Sequence, residues 1–140
     1  MPAEATVPAL SELIAPARRL ALVGLAKNTG KTETLGAILR ELAQREIHVG
    51  VTSIGRDGEE HDVIDARISK PRIILQAGSL VASTDALVRA SGLEHERLAR
   101  TGVRTPLGEV VIVRLAAQGA VEVAGPSTAE GLREVGEAML

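Results

Sequence analysis

The chain contains no phenylalanine, tyrosine or tryptophan. A hydrophobic core must therefore be built from Val, Leu, Ile and Ala, which suit the buried strands of an α/β protein. The same absence removes any ring on which a nucleobase could stack, which argues against single-stranded nucleic-acid or RNA binding. Cysteine is also absent, so disulfides, thiol chemistry and cysteine-based metal sites are excluded. Neither sign of charge dominates. A net charge of −2 offers no overall attraction to a phosphate backbone, and no nucleic-acid partner is expected. No apolar run reaches the length of a membrane span. The first residues, with Glu4 and Glu12, lack the pattern of a signal peptide. The expectation is a cytoplasmic protein without membrane association.

Among 140 residues we read an Ala- and Pro-rich tail, 1–17, and one domain, 18–140, able to bury roughly two-thirds of its unfolded-chain surface. Leu10, Leu13 and Ile14 can form a helical turn or two that docks on the domain.

The most informative stretch runs from Arg18 to Gln44. Arg18-Arg19-Leu20-Ala21-Leu22-Val23 reads as a short buried strand. Gly24-Leu25-Ala26-Lys27-Asn28-Thr29-Gly30-Lys31-Thr32 reads as a loop. From Thr32 to Gln44, Leu35, Ile38, Leu39 and Leu42 recur at helical spacing. Strand, glycine-bounded loop and helix are the context in which a phosphate-cradling motif is credible. Loop N–H groups and the free N–H groups of the helix start converge on one concavity, and the helix dipole adds positive potential there. Lys27, Asn28, Thr29, Gly30, Lys31, Thr32 and Glu33 are the candidate nucleotide-binding residues. Gly30 admits the phosphates closely, Lys31 neutralises the β- and γ-phosphates, and the Thr32 hydroxyl completes the coordination of Mg²⁺.

Five residues, Leu25 to Thr29, separate the two glycines, where the commonest signature has four. This spacing resembles that of dethiobiotin synthetase and its relatives, a P-loop class that includes cell-division and signal-recognition NTPases. The resemblance implies a three-layer, P-loop NTPase-like α/β fold with a mainly parallel sheet. Many members of the class are dimers and carry an extra lysine five places before the motif lysine. Ala26 stands in that place, with Lys27 one residue later, so a cross-interface lysine is not supplied from its usual position and a homodimer stays open.

Further along, Ile47 to Ile54 reads as a second strand, parallel to the first through a right-handed crossover. The polar loop after it, Gly55 to Asp62, lies where ligands sit in doubly wound sheets. Asp57 is the candidate for holding Mg²⁺ or orienting an attacking group, ahead of Glu59 and Asp62. Arg56 can pair with phosphate or with these acids. His48, His61 and His95 show no metal-ligating spacing. Pro71 to Gly78 reads as a third strand. Ser79 to Ala90 reads as a helix, with Thr84 or Asp85 as an internal cap. Leu93 to Arg100 reads as a short charged helix with Glu94–Arg97 and Glu96–Arg100 pairs. Thr105 to Gly108 is a turn before a strand, and Glu109–Leu115 and Ala120–Ala124 would form an antiparallel hairpin if they pair directly. A last helix starts at Ser127, where Ser127 and Glu130 fit a capping box.

A second acidic motif, an apolar strand ending in Asp, is expected of a P-loop NTPase. The strands read here lead instead to Gln76, Arg114 and Ala124. Either further chain supplies the acid, or Asp57 serves alone and hydrolysis is slow or partner-dependent.

A narrower resemblance covers most of the chain. The loop 24–32, Thr52 to Glu59, Lys70 to Ile73, Thr101 to Glu109 and Gly125-Pro126-Ser127 are similar to blocks of a bacterial P-loop family. That family is known as a reactivase component for cobalamin-dependent lysine aminomutase. This resemblance implies an ATP-driven helper acting on a protein partner, whose longer members continue into a strand ending Asp-Gly-Ala. No Asn/Thr-Lys-x-Asp guanine-reading motif occurs, which favours ATP. The reading is thus Mg²⁺-dependent ATP binding with slow hydrolysis, Lys31 and Asp57 being the catalytic candidates. A small-molecule kinase or ligase and a non-catalytic regulatory domain are the alternatives.

Overall fold

Residues 8–26, 29–55 and 72–140 are described by the computed structural model, in which Met1–Ile47 and His48–Leu140 form separate compact units. The fold is mixed α/β, with four helices and six strands among the described residues.

In the first unit, helix α1, Leu10–Ile14, packs on helix α2, Lys31–Gln44. The predicted apolar stripe is present in α2, which buries Ile38 and Leu39. The docking of α1 is polar. No side chain of its own caps α1, and Ser11 N–H donates to the Glu41 carboxylate at 2.7 Å. This hydrogen bond holds the Glu41 carboxyl below its usual pKa, because it stabilises the charged form. Helix α2 ends in a Schellman motif. Glu46 N–H reaches the Ala43 carbonyl at 3.0 Å and Ile47 N–H the Leu42 carbonyl at 2.9 Å, with Glu46 left-handed at φ 57°.

The strand expected over Arg18–Val23 does not form. Leu20 and Val23 are exposed. An apolar run becomes a strand only when a ladder partner takes up its main-chain groups, and no described strand pairs with it. The predicted crossover from it is therefore not present either.

The second unit contains a four-stranded sheet of order β1-β3-β5-β4: β1 Gly50–Val51, β3 Leu80–Thr84, β4 His95–Thr105 and β5 Gly108–Leu115. β2, Ile73–Leu75, and β6, Gly119–Val121, form a separate antiparallel pair. β1 and β3 are parallel; β3–β5 and β4–β5 are antiparallel. The expected mainly parallel sheet is thus corrected to a mainly antiparallel one among the described strands. The cause is local: two residues join β4 to β5, which permits only an antiparallel return. The predicted turn at Thr105–Gly108 is present, but the hairpin it makes is β4–β5. β6 pairs with β2 and not with β5.

Two expected helices are corrected. Ser79–Ala90 is a strand followed by a helix, α3, Asp85–Ala90. Val81, Ala82, Ser83 and Thr84 are all buried, and burial on both faces suits a central strand. Of the second, His95–Arg100 belongs to β4, and Leu93 and Glu94 precede the strand. Its charges pair across structure and not along a helix: Arg97 with Asp85, Arg100 with Glu109, and Arg114 with Glu96 at 3.4 Å. Helix α4, Ala129–Ala138, begins later than expected, and its cap is Thr128, whose hydroxyl accepts from Gly131 N–H at 3.1 Å. Val135 on α4 packs with Ala82, Val110 and Ile112 to form the core.

The chain around Ser53 is tied to that around Gly125. Ser53 Oγ donates to the Val123 carbonyl and accepts from Gly125 N–H, each at 3.0 Å, and Gly55 N–H donates to the Pro126 carbonyl at 3.3 Å. Among the described residues no helix is long and apolar enough to cross a membrane.

Candidate functional site

The side chains of Thr29 and Lys31 lie against Gly24. A Cβ placed on Gly24 would lie 2.5 Å from Thr29 Oγ1 and 2.8 Å from Lys31 Cδ. The lysine stem therefore lies back across the loop against the first glycine, and any side chain at position 24 would displace it. Thr29 Oγ1 donates to the Ala26 carbonyl at 3.1 Å. Gly30 takes φ 86°, ψ 16°, a left-handed conformation that glycine adopts without steric cost. Its carbonyl accepts the Thr34 N–H at 2.9 Å and opens α2.

The start of α2 carries no side-chain cap. Gly30 has none to offer, so Lys31, Thr32 and Glu33 present the first-turn N–H groups that every helix leaves without intrahelical partners. Lys31, Thr32 and Glu33 are all exposed. Five of the predicted binding residues, Thr29 to Glu33, are thus gathered on one turn and one helix end. That arrangement can take an anion: first-turn amides, the positive end of a dipole and one ammonium group. Lys27, Asn28 and Asp57, together with Arg56, Glu59, His61 and Asp62, lie outside the described residues. Among the described residues no group of three or more metal-ligating side chains occurs. His48 stands over Gly78, and His95 Nδ1 is 2.8 Å from the Leu93 carbonyl.

In the sequence Asp85 stands only as a candidate helix cap; the structure places it at the end of a strand. β3 pairs in parallel with β1 and leads directly into Asp85, a strand-end acid. Reading 79–90 as one helix concealed it. The signal was available in Leu80-Val81-Ala82, a short apolar run following the turn at Gly78. Asp85 is already engaged by two guanidinium groups, Arg89 at 2.8 Å and Arg97.

Comparison with protein-family models, curated proteins and solved structures finds no match to this chain.

Proposed function

We propose that the chain binds ATP with Mg²⁺ on the loop 24–33 and hydrolyses it slowly in service of a protein partner. The observation that carries this reading is the Lys31 stem folded back over Gly24, beside a left-handed Gly30 and an uncapped helix start. A lysine at the helix start can add its charge to that of the first-turn amides. Lys31 is assigned to the β- and γ-phosphates and Thr32 to the metal, with Asp57 as the acid that holds the metal or orients water. Bound Mg²⁺ would neutralise charge between the phosphates. A P-loop NTPase-like fold belongs to this same proposal.

A second reading, a non-catalytic regulatory domain that retains the P-loop fold, is favoured by one observation. Asp85, the acid at the end of a parallel-paired strand, is taken up by Arg89 and Arg97.

The test is Mg²⁺-dependent binding of a dye-labelled ATP analogue, since the chain has no aromatic reporter of its own. Saturable binding, displaced by ATP better than by GTP and lost in Lys31→Ala, is the expected result. Absence of saturable binding at millimolar nucleotide would overturn the proposal. Phosphate release measured on the same samples separates the hydrolytic reading from the regulatory one.

A further inference from the structure

Strand β4 carries two register slips against β5, one between Arg97 and Ala99 and one between Arg100 and Arg104. They have a common effect. Arg97 and Arg100 are three residues apart, which in a regular strand would put them on opposite faces. Their partners Val113 and Val111 are two apart, so the slip brings Arg100 back to the face of Arg97. The second slip spends four residues of β4 against two of β5 and leaves Arg104 opposite Glu109. Because Glu109, Val111 and Val113 alternate along β5, all three arginines share one face. The second slip is held by side chains and a glycine: Gly102 is left-handed at φ 75°, its N–H donates to Glu109 Oε1 at 3.0 Å, and Thr101 Oγ1 donates to the Val110 carbonyl at 2.7 Å.

On that face lies an open cleft of about 660 Å³, lined by Arg89 and Asp85 of α3 and by Arg97, Arg100, Arg104 and Glu109 of the hairpin. Asp85 takes Arg89 and Arg97, and Glu109 takes Arg100 through Nε at 3.0 Å. Arg104 enters no ion pair among the described residues. Four guanidiniums against two carboxylates leave two positive charges in one concavity of a chain whose acids outnumber its bases. Each guanidinium has five N–H donors in a planar fork, so the ion pairs leave N–H groups unspent.

We infer that this cleft is a binding site for a phosphate-bearing small molecule, a phosphomonoester or diphosphate dianion, received by Arg104 with Arg97 and Arg100. The excess charge matches a dianion, guanidinium forks match tetrahedral oxyanions, and the volume is that of a small-molecule site. The carboxylates Asp85 and Glu109 hold the arginines in place, so the site is preorganised. No residue of the loop 24–33 lines this cleft, and the inference does not depend on the ATP-binding proposal.

The experiment is an amide NMR titration of the full-length Lys31→Ala chain with inorganic pyrophosphate. Removing Lys31 silences the loop, so a failure of the ATP-binding reading does not bear on the result. Saturable shifts at Gly102, Gly108 and Glu109 are expected. Arg104→Gln should weaken binding about tenfold, the usual consequence of losing a charge-assisted hydrogen bond, and Arg104→Lys should fall between, keeping the charge and losing the fork. Unchanged amide dispersion outside the cleft shows that each variant is folded. Shifts that do not saturate at millimolar pyrophosphate, or that persist unchanged in Arg104→Gln, would overturn the inference.

Discussion

The α-carbon of Gly125 lies against the main-chain carbonyl of Ser53, so closely that a methyl group there would come within 1.8 Å of the oxygen. The same two residues are joined by the Gly125 N–H to Ser53 Oγ hydrogen bond at 3.0 Å. A backbone oxygen cannot step aside as a flexible side chain can. Gly125→Ala is therefore expected to destabilise the second unit by on the order of 3 kcal/mol. Urea denaturation followed by far-UV circular dichroism measures this; a midpoint equal to wild type would contradict the packing described here.

Neighbouring buried hydroxyls on β3 should respond in opposite ways. Ser83 Oγ donates to the Glu122 carbonyl at 3.3 Å and accepts from Ala124 N–H at 3.0 Å. Ser83→Ala strands two main-chain groups and should cost about 1–3 kcal/mol. Thr84 Oγ1 is buried with no hydrogen-bond partner among the described residues. Thr84→Val removes that unsatisfied oxygen at nearly constant volume and should leave stability unchanged or raise it. Paired denaturation curves test the contrast.

Glu46 is the non-glycine residue with positive φ among the described residues, and it occupies the position where helices favour glycine. Glu46→Gly should relieve a cost of about 1 kcal/mol. Hydrogen-exchange protection of the last-turn amides of α2 should rise by about fivefold.

The Glu109 carboxyl is held below its ordinary value of 4.5 by its hydrogen bond from Arg100 and, next, by that from Gly102 N–H. A depressed folded-state pKa contributes stability that is fully present above 4.5 and is lost as pH falls through the lowered value. The β4–β5 hairpin should therefore loosen in acid. Glu109→Gln should be less stable at neutral pH and should show a shallower loss below pH 4.5, as read from denaturation midpoints across that range.

Much of the local chemistry was legible in the sequence. The α2 helix, its apolar stripe, the turn at Pro106 and Leu107, and the left-handed glycine before α2 follow from spacing and residue type. What was not legible depends on partners distant in sequence. Leu20 and Val23 look like strand residues, but no ladder receives them. Glu96, Arg97 and Arg100 fall at helical spacing, yet they belong to a strand because β5 offers ladder partners beside them. The arginine cleft was hidden for the same reason. Odd spacing places Arg97 and Arg100 on opposite faces of any regular strand, and only the slips against β5 unite them.

The short connection between β4 and β5 also bears on how the chain assembles. Gly50 and Leu80 must meet across thirty residues, and Ile73 and Val121 across forty-eight, whereas the hairpin closes over Pro106 and Leu107 alone. Closure entropy grows with the length of chain enclosed, and hairpins form within about 1–10 μs. The hairpin is thus the natural nucleus of the second unit, and three of the four cleft arginines lie on it. A dianion captured there would find its receptor before β1 or β6 had been recruited, and would act as a template for folding as well as a ligand of the folded state.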